Sequence, residues 1–277
     1  MICIIFGNSS HFAFWESDLT YEGESIYNYL QVREDSRRVI LSTNVLFGVQ
    51  SVLEKEGNLT GMYYDYAMAA PVMAMANRME KTSEQKGSPE DPLSILILGM
   101  GSGTYDHQCR NYFSNTQIEG VEIDSKITDL VRSHLTPEGI MVVNMNLCSE
   151  AKDGINTYLS DTISSVFPQV RTVDVSGNTN RILFAGENIP QWSSFAKATD
   201  LCVTDDPEKK VALIRLFGEM RFDLRAYEGT GYILTDDKAP VELLGMRVID
   251  RLVSDELAGY RQMYNEKGIR YVLDELL

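Results

Sequence analysis

Apolar and polar positions partly alternate through the first part of the chain. Beyond about residue 92 they give way to continuous apolar runs separated by helical stretches. Ser25-Ile-Tyr-Asn-Tyr-Leu-Gln-Val32 is rich in strand formers. Arg38-Val-Ile-Leu-Ser42 follows after a charged turn, and Val45-Leu-Phe-Gly-Val-Gln-Ser-Val52 follows that. This pattern predicts a small antiparallel β-domain. Residues 62–79, dense in Ala and Met, predict a helix, with Met68, Met73, Met75 and Met79 as core filler. The polar stretch at 80–92 carries two prolines and reads as a surface loop or linker. The expected division is a β-domain with its helix over 1–80, a linker over 81–92 and a second domain over 93–277.

Leu93-Ser-Ile-Leu-Ile-Leu98 is the run expected of a parallel strand buried on both faces. Gly99-Met-Gly-Ser-Gly-Thr104 follows at once, then a helical pattern, then Gln117-Ile-Glu-Gly-Val-Glu-Ile-Asp124 as a second strand ending in acid. Ile140-Met-Val-Val-Asn-Met145 reads as a third strand and 153–166 as a helix. Strands at 170–175 and 181–185 read as an antiparallel hairpin, and the remainder reads as mainly helical. Alternating strands and helices predict an α/β fold with a mostly parallel, Rossmann-like sheet of the methyltransferase type.

Composition narrows the function. The chain has 277 residues, 44% hydrophobic, and a net charge of -15. So acidic a surface repels phosphate backbones and argues against nucleic acid as a partner. Cys3, Cys109, Cys148 and Cys202 are scattered, which reads as free thiols in a reducing, cytoplasmic compartment. No apolar run reaches the ~18 residues of a membrane helix. The apolar stretch at 1–15 is broken by Gly7, Asn8, Ser9 and Ser10, lacks the basic front of a signal peptide, and reads as a strand or interfacial stub. His11, His107 and His134 have no partners at ligand spacing, so no metal site is expected.

The chemistry sits in the glycine loop. Gly99, Gly101 and Gly103 permit backbone angles and close approach that side chains would block. An adenosyl group can then lie at the carboxyl edge of the strand, where open α/β sheets bind ligands. Glu122, about twenty residues on, is placed to accept hydrogen bonds from the ribose hydroxyls. The spacing lacks the third glycine of the usual NAD loop and is closer to the methyltransferase loop.

On these stretches the chain resembles the spermidine synthase (polyamine aminopropyltransferase) family, in the branch often fused to membrane segments. Residues 22–32 resemble the family's opening strand. Residues 45–71 resemble the substrate-side strand and its Y-H-E helix, and 96–124 resemble the G-G-G-D-G-G loop running into V-E-I-D. The likeness extends to 136–144 and to Leu234-Thr-Asp-Asp-Lys-Ala-Pro-Val-Glu242. It implies transfer of an aminopropyl group from decarboxylated S-adenosylmethionine to an amine such as putrescine, with methylthioadenosine leaving. It also implies a homodimer and a domain exposed to the cytoplasm, with a membrane tether lost from the N-terminus.

Carried over by residue, the resemblance places Asn28 and Gln50 against the nucleotide or amine. Tyr63 and Asp65 fall at the tyrosine and glutamate of Y-H-E, with Tyr64 in place of the histidine. Tyr63 and Asp65 are the catalytic candidates; Gly99, Gly101, Ser102, Gly103 and Glu122 would hold the nucleoside. Ser102 replaces the aspartate that grips the aminopropyl amine. That loses a charge-assisted hydrogen bond worth roughly 1.5–3 kcal/mol and leaves ordinary S-adenosylmethionine as an alternative co-substrate.

The main departure is a shortening. In the family two strand–helix units lie between V-E-I-D and the T-P-x-G strand, whereas here only residues 125–135 intervene. The difference is ~60 residues, at about 30 per unit. One such unit carries the family's catalytic aspartate. Either the chain is a degenerate homologue or the segment has been removed from it. Closing the sheet would require the strand at Ile140 to move beside the one at Ile95. Three activities remain open: aminopropyl transfer, inactive nucleoside binding, and S-adenosylmethionine-dependent methyl transfer. Asp236, Asp237 and Glu242 would line the site mouth or start a helix.

Overall fold

The computed structural model describes residues 18–24, 29–43, 49–81, 91–99, 103–121, 136, 138–146, 154–175, 180–234, 254 and 257–271. Strands β1 (Leu19–Glu24), β2 (Tyr29–Glu34), β3 (Arg38–Thr43) and β4 (Val49–Glu54) pair in that order as an antiparallel sheet. The charged turn between β2 and β3 has a specific cause. The Asp35 carboxylate accepts the backbone N–H groups of Arg37 and Arg38, each at 2.7 Å, as an Asx turn does. Strand β1 is not evident in the sequence: Leu-Thr-Tyr-Glu-Gly-Glu has few apolar residues, and its order comes from pairing with β2.

The helix expected over 62–79 is two helices, α1 (Tyr63–Ala67) and α2 (Ala69–Glu80), joined at Met68. Pro71 explains the break. It lacks an N–H, and in a continuous helix its ring would meet the Ala67 carbonyl. Met68, Met73 and Met75 are core residues, as their density along the helix predicts.

The α/β part starts with β5 (Leu93–Leu98), α3 (Thr104–Tyr112) and β6 (Thr116–Val121). β5 and β6 are parallel, with Leu93 opposite Thr116 and Leu98 opposite Val121. After it come β7 (Met141–Asn146), α4 (Ile155–Val166), β8 (Gln169–Asp174), β9 (Asn180–Gly186), α5 (Trp192–Cys202), α6 (Pro207–Asp223) and β10 (Arg225–Ala226). Asp206 caps α6: its carboxylate accepts the N–H groups of Glu208 and Lys209, and Pro207 opens the helix.

The mostly parallel sheet expected from the sequence is corrected in one respect. β8 and β9 form the expected antiparallel hairpin, but β7 also pairs antiparallel to β9, giving the order β10-β8-β9-β7. β5–β6 is the parallel pair among the described residues, and β7 does not move beside β5. The burial expected on both faces of β5 is also corrected: Leu96 is 45% exposed.

A shared core joins α2 to the α/β part. Val72 and Met73 of α2, Leu93 of β5, Tyr112 of α3, Phe184 of β9 and Phe217 of α6 belong to a single buried cluster. A second cluster under α4 gathers Met141, Ile163, Phe167 and Leu183. No helix among the described residues is long and apolar enough to cross a membrane.

Candidate functional site

The carboxyl end of β5 is where the backbone turns sharply. Gly99 has φ 77° and Gly103, the residue that caps α3, has φ 78°. Side chains strain in this left-handed region, so glycine is required at both positions. Among the described residues, no heavy atom lies within 4 Å of where a Cβ would stand at either glycine. Val121, which precedes Glu122, is the register partner of Leu98, which precedes Gly99. Gly101, Ser102 and Glu122 themselves lie outside the described residues, as does Asn28.

The antiparallel sheet is fastened to this bend. The Ser51 hydroxyl of β4 and the Thr104 hydroxyl, first in α3, form a buried hydrogen bond. Gln50 is the residue before Ser51 in β4, and its side chain lies outside the description. The two segments that the sequence assigns to the amine side and the nucleoside side thus meet at one pair of hydroxyls.

Helix α1 supplies the aromatic and acidic candidates. Tyr63 and Tyr64 pack edge to face with ring centroids 5.0 Å apart. Tyr64 is buried; its hydroxyl donates to the Val52 carbonyl at 2.8 Å and accepts from the Val52 N–H at 3.1 Å. Burial pushes its phenol up to about 12 and raises that of Tyr63 as well.

Asp65 is fully buried and turned inward. Its Oδ2 accepts the backbone N–H groups of Thr60 and Gly61 at 2.6 Å each and the Thr60 hydroxyl at 3.1 Å. Its Oδ1 accepts from Gln108 Nε2 at 3.0 Å. Burial raises this carboxyl to about 6, against the opposing pull of the Gly61 and Thr60 donors. Gly61 itself has φ 77°, so the turn that Asp65 holds is specific to glycine.

Gln108 is a participant that the sequence did not disclose. It is 2% exposed, its Nε2 also reaches the Asn58 carbonyl at 3.3 Å, and its Oε1 has no hydrogen-bond partner among the described residues. A single polar residue inside a helical stretch carries no signal of its own; only the meeting of α1 with α3 makes it central.

The remaining reactive groups lie elsewhere. Cys109 and Cys202 are buried free thiols, each pushed up to about 12 by burial. Among the described residues no group of three His, Cys, Asp or Glu side chains is placed to hold a metal. A cavity of about 390 Å³ opens beside Tyr66, between the carboxyl end of β8 and α6. None of Tyr63, Asp65, Gly99 and Gly103 lines it, and Asp174 and Arg181 on its wall are paired with each other at 2.6 Å. Asp236, Asp237 and Glu242 lie outside the described residues.

No family model matches the chain. Its sequence is 40% identical to a probable polyamine aminopropyl transferase of Bifidobacterium longum (strain NCC 2705), over 322 residues that take in 93% of this chain and 69% of the relative. The crystal structure of human methyltransferase-like protein 13 in complex with SAH matches 61% of this chain and 96% of its own, at 18% identity. Its TM-score of 0.38 is too low to carry an argument.

Proposed function

Because the chain belongs to the polyamine aminopropyltransferase family, we propose that it transfers an aminopropyl group from decarboxylated S-adenosylmethionine to a polyamine such as putrescine. The observation that carries this reading is the pair of left-handed glycines, Gly99 and Gly103, at the carboxyl end of a parallel strand pair. A nucleoside laid there meets backbone, and the Ser51–Thr104 contact brings β4 alongside.

The reaction needs little covalent work from the protein. The amine nitrogen attacks the aminopropyl carbon next to the sulfonium; the carbon–sulfur bond breaks and methylthioadenosine leaves. The amine is an alkylammonium with a pKa near 10 in water, so a proton must be taken from it. Proximity of the two bound reactants supplies much of the rate. Asp65 is a positioning residue in this scheme, because both its oxygens are engaged within the fold. Tyr63, a phenol neutral at pH 7 and raised further by burial, serves as a hydrogen-bond donor rather than the base.

The family's catalytic aspartate lies in the stretch that is shortened here between Asp124 and Thr136, so in this chain the amine gives its proton to solvent before it attacks. The match to the relative runs over 322 residues while this chain contributes 93% of 277, so the relative carries residues that have no counterpart here, as a shortening requires. Ser102 favours ordinary S-adenosylmethionine as a competing ligand. A homodimer on the cytoplasmic side is the expected setting.

Calorimetry with methylthioadenosine and turnover with putrescine test the reading. Nucleoside binding with amine-dependent release of methylthioadenosine is the expected result; no nucleoside binding overturns it. A second reading, binding without turnover, is favoured by the inward Asp65 carboxylate. It would be established by a tight methylthioadenosine complex and no product.

A further inference from the structure

Resting on the nucleoside-binding reading, we propose that Gln108 is a positioning residue that transmits ligand occupancy at Gly103 to helix α1 and its Tyr63. The link is the short helix α3. It begins at the bend, where Gly103 is its cap. Its first residue, Thr104, holds Ser51 of β4. Its second, Tyr105, donates its hydroxyl to the Ala67 carbonyl at the end of α1, at 3.3 Å. One turn later Gln108 holds Asp65 in α1 and the Asn58 carbonyl ahead of it.

Residues 104 and 108 share a helix face, being four apart. A helix of this length moves as one body, so a displacement at the capped end is felt at Gln108. Gln108 bonds Asp65, and Asp65 in turn holds the 60–61 turn that starts α1. The path has no solvent-exposed step: Thr104, Gln108 and Asp65 are all buried. A ligand seated against Gly103 therefore acts on α1 through these contacts, which couples the nucleoside side to the amine side. The bland role, in which Gln108 only satisfies the buried Asp65, predicts a loss of stability with no change in the response to ligand.

Hydrogen exchange distinguishes the two. In the wild-type chain, methylthioadenosine should slow exchange across residues 60–68 by about fivefold or more. Gln108→Asn, too short to reach Asp65, should bind methylthioadenosine within about threefold of wild type and lose that protection. Tyr105→Phe, which removes only the Ala67 link, is the milder second variant and should lose part of it. Full protection in Gln108→Asn, or wild-type binding with no change across 60–68, overturns the coupling and leaves the nucleoside site standing. Should Gln108→Asn not fold, Gln108→Met, which keeps the length and removes the donor to Asp65, takes its place, and full protection there overturns the coupling equally. Absence of wild-type binding is a different result and sinks the functional reading together with this one.

Discussion

The Ser51 hydroxyl and the Thr104 hydroxyl hydrogen-bond to each other across 53 residues of sequence, joining β4 to the first residue of α3. This pair joins two segments that the sequence shows only as separate motifs. Replacing Ser51 with Ala removes this partner from the buried Thr104 hydroxyl. The expected cost is about 1–3 kcal/mol, read from urea unfolding, with weaker methylthioadenosine binding in calorimetry.

Gly103→Ala separates backbone strain from ligand contact. With φ at 78°, an alanine costs roughly 1–2 kcal/mol. The free protein has room for the methyl group among its described residues. Nucleoside affinity should therefore fall further than stability does. Equal small effects on both would show that no ligand approaches this backbone.

Asp161 in α4 organises the segment after β10. Its carboxylate accepts the Tyr227 hydroxyl at 2.7 Å, the Thr230 N–H at 3.0 Å and hydroxyl at 2.6 Å, and the Tyr232 N–H at 2.8 Å. Asp161→Ala strands these donors and should cost about 3 kcal/mol or more. Limited proteolysis within residues 227–234 is the direct measurement, with faster cleavage in the variant.

The same carboxyl sets an acid limit. Against the opposing effect of burial, the Thr230, Tyr227 and Tyr232 donors lower it from 3.8 to about 2. The native state then binds fewer protons than the unfolded chain in that interval. Its stabilisation is complete above 3.8 and is lost as pH falls towards about 2. Wild-type unfolding midpoints should drop over this window more steeply than those of Asp161→Asn.

Asp65 acts in the opposite direction and over a different window. Burial raises it from 3.8 to about 6, so between these values the folded protein holds a proton that the unfolded chain has released. Its contribution to stability therefore declines as pH rises from 3.8 through about 6. Asp65→Asn should flatten the dependence of the denaturant midpoint across that interval. An unchanged slope would mean the carboxyl titrates normally.

Much was legible in the residues themselves because it depends on local pattern. The β5 run, the glycine bend, the Met-rich core helix and the β8–β9 hairpin each follow from spacing and from what glycine or a continuous apolar run permits. The break at Met68 was also written in the chain, at Pro71, although helical composition masked it. What only the tertiary structure decided are relations between distant residues. The order of β1 through its neighbour β2, the pairing of β7 with β9, the inward turn of Asp65 and the place of Gln108 all depend on which surfaces meet. Hydrophobic spacing says that a face will be buried; a hydrogen bond between buried polar groups requires a particular partner at a particular distance, and only the packed chain supplies it.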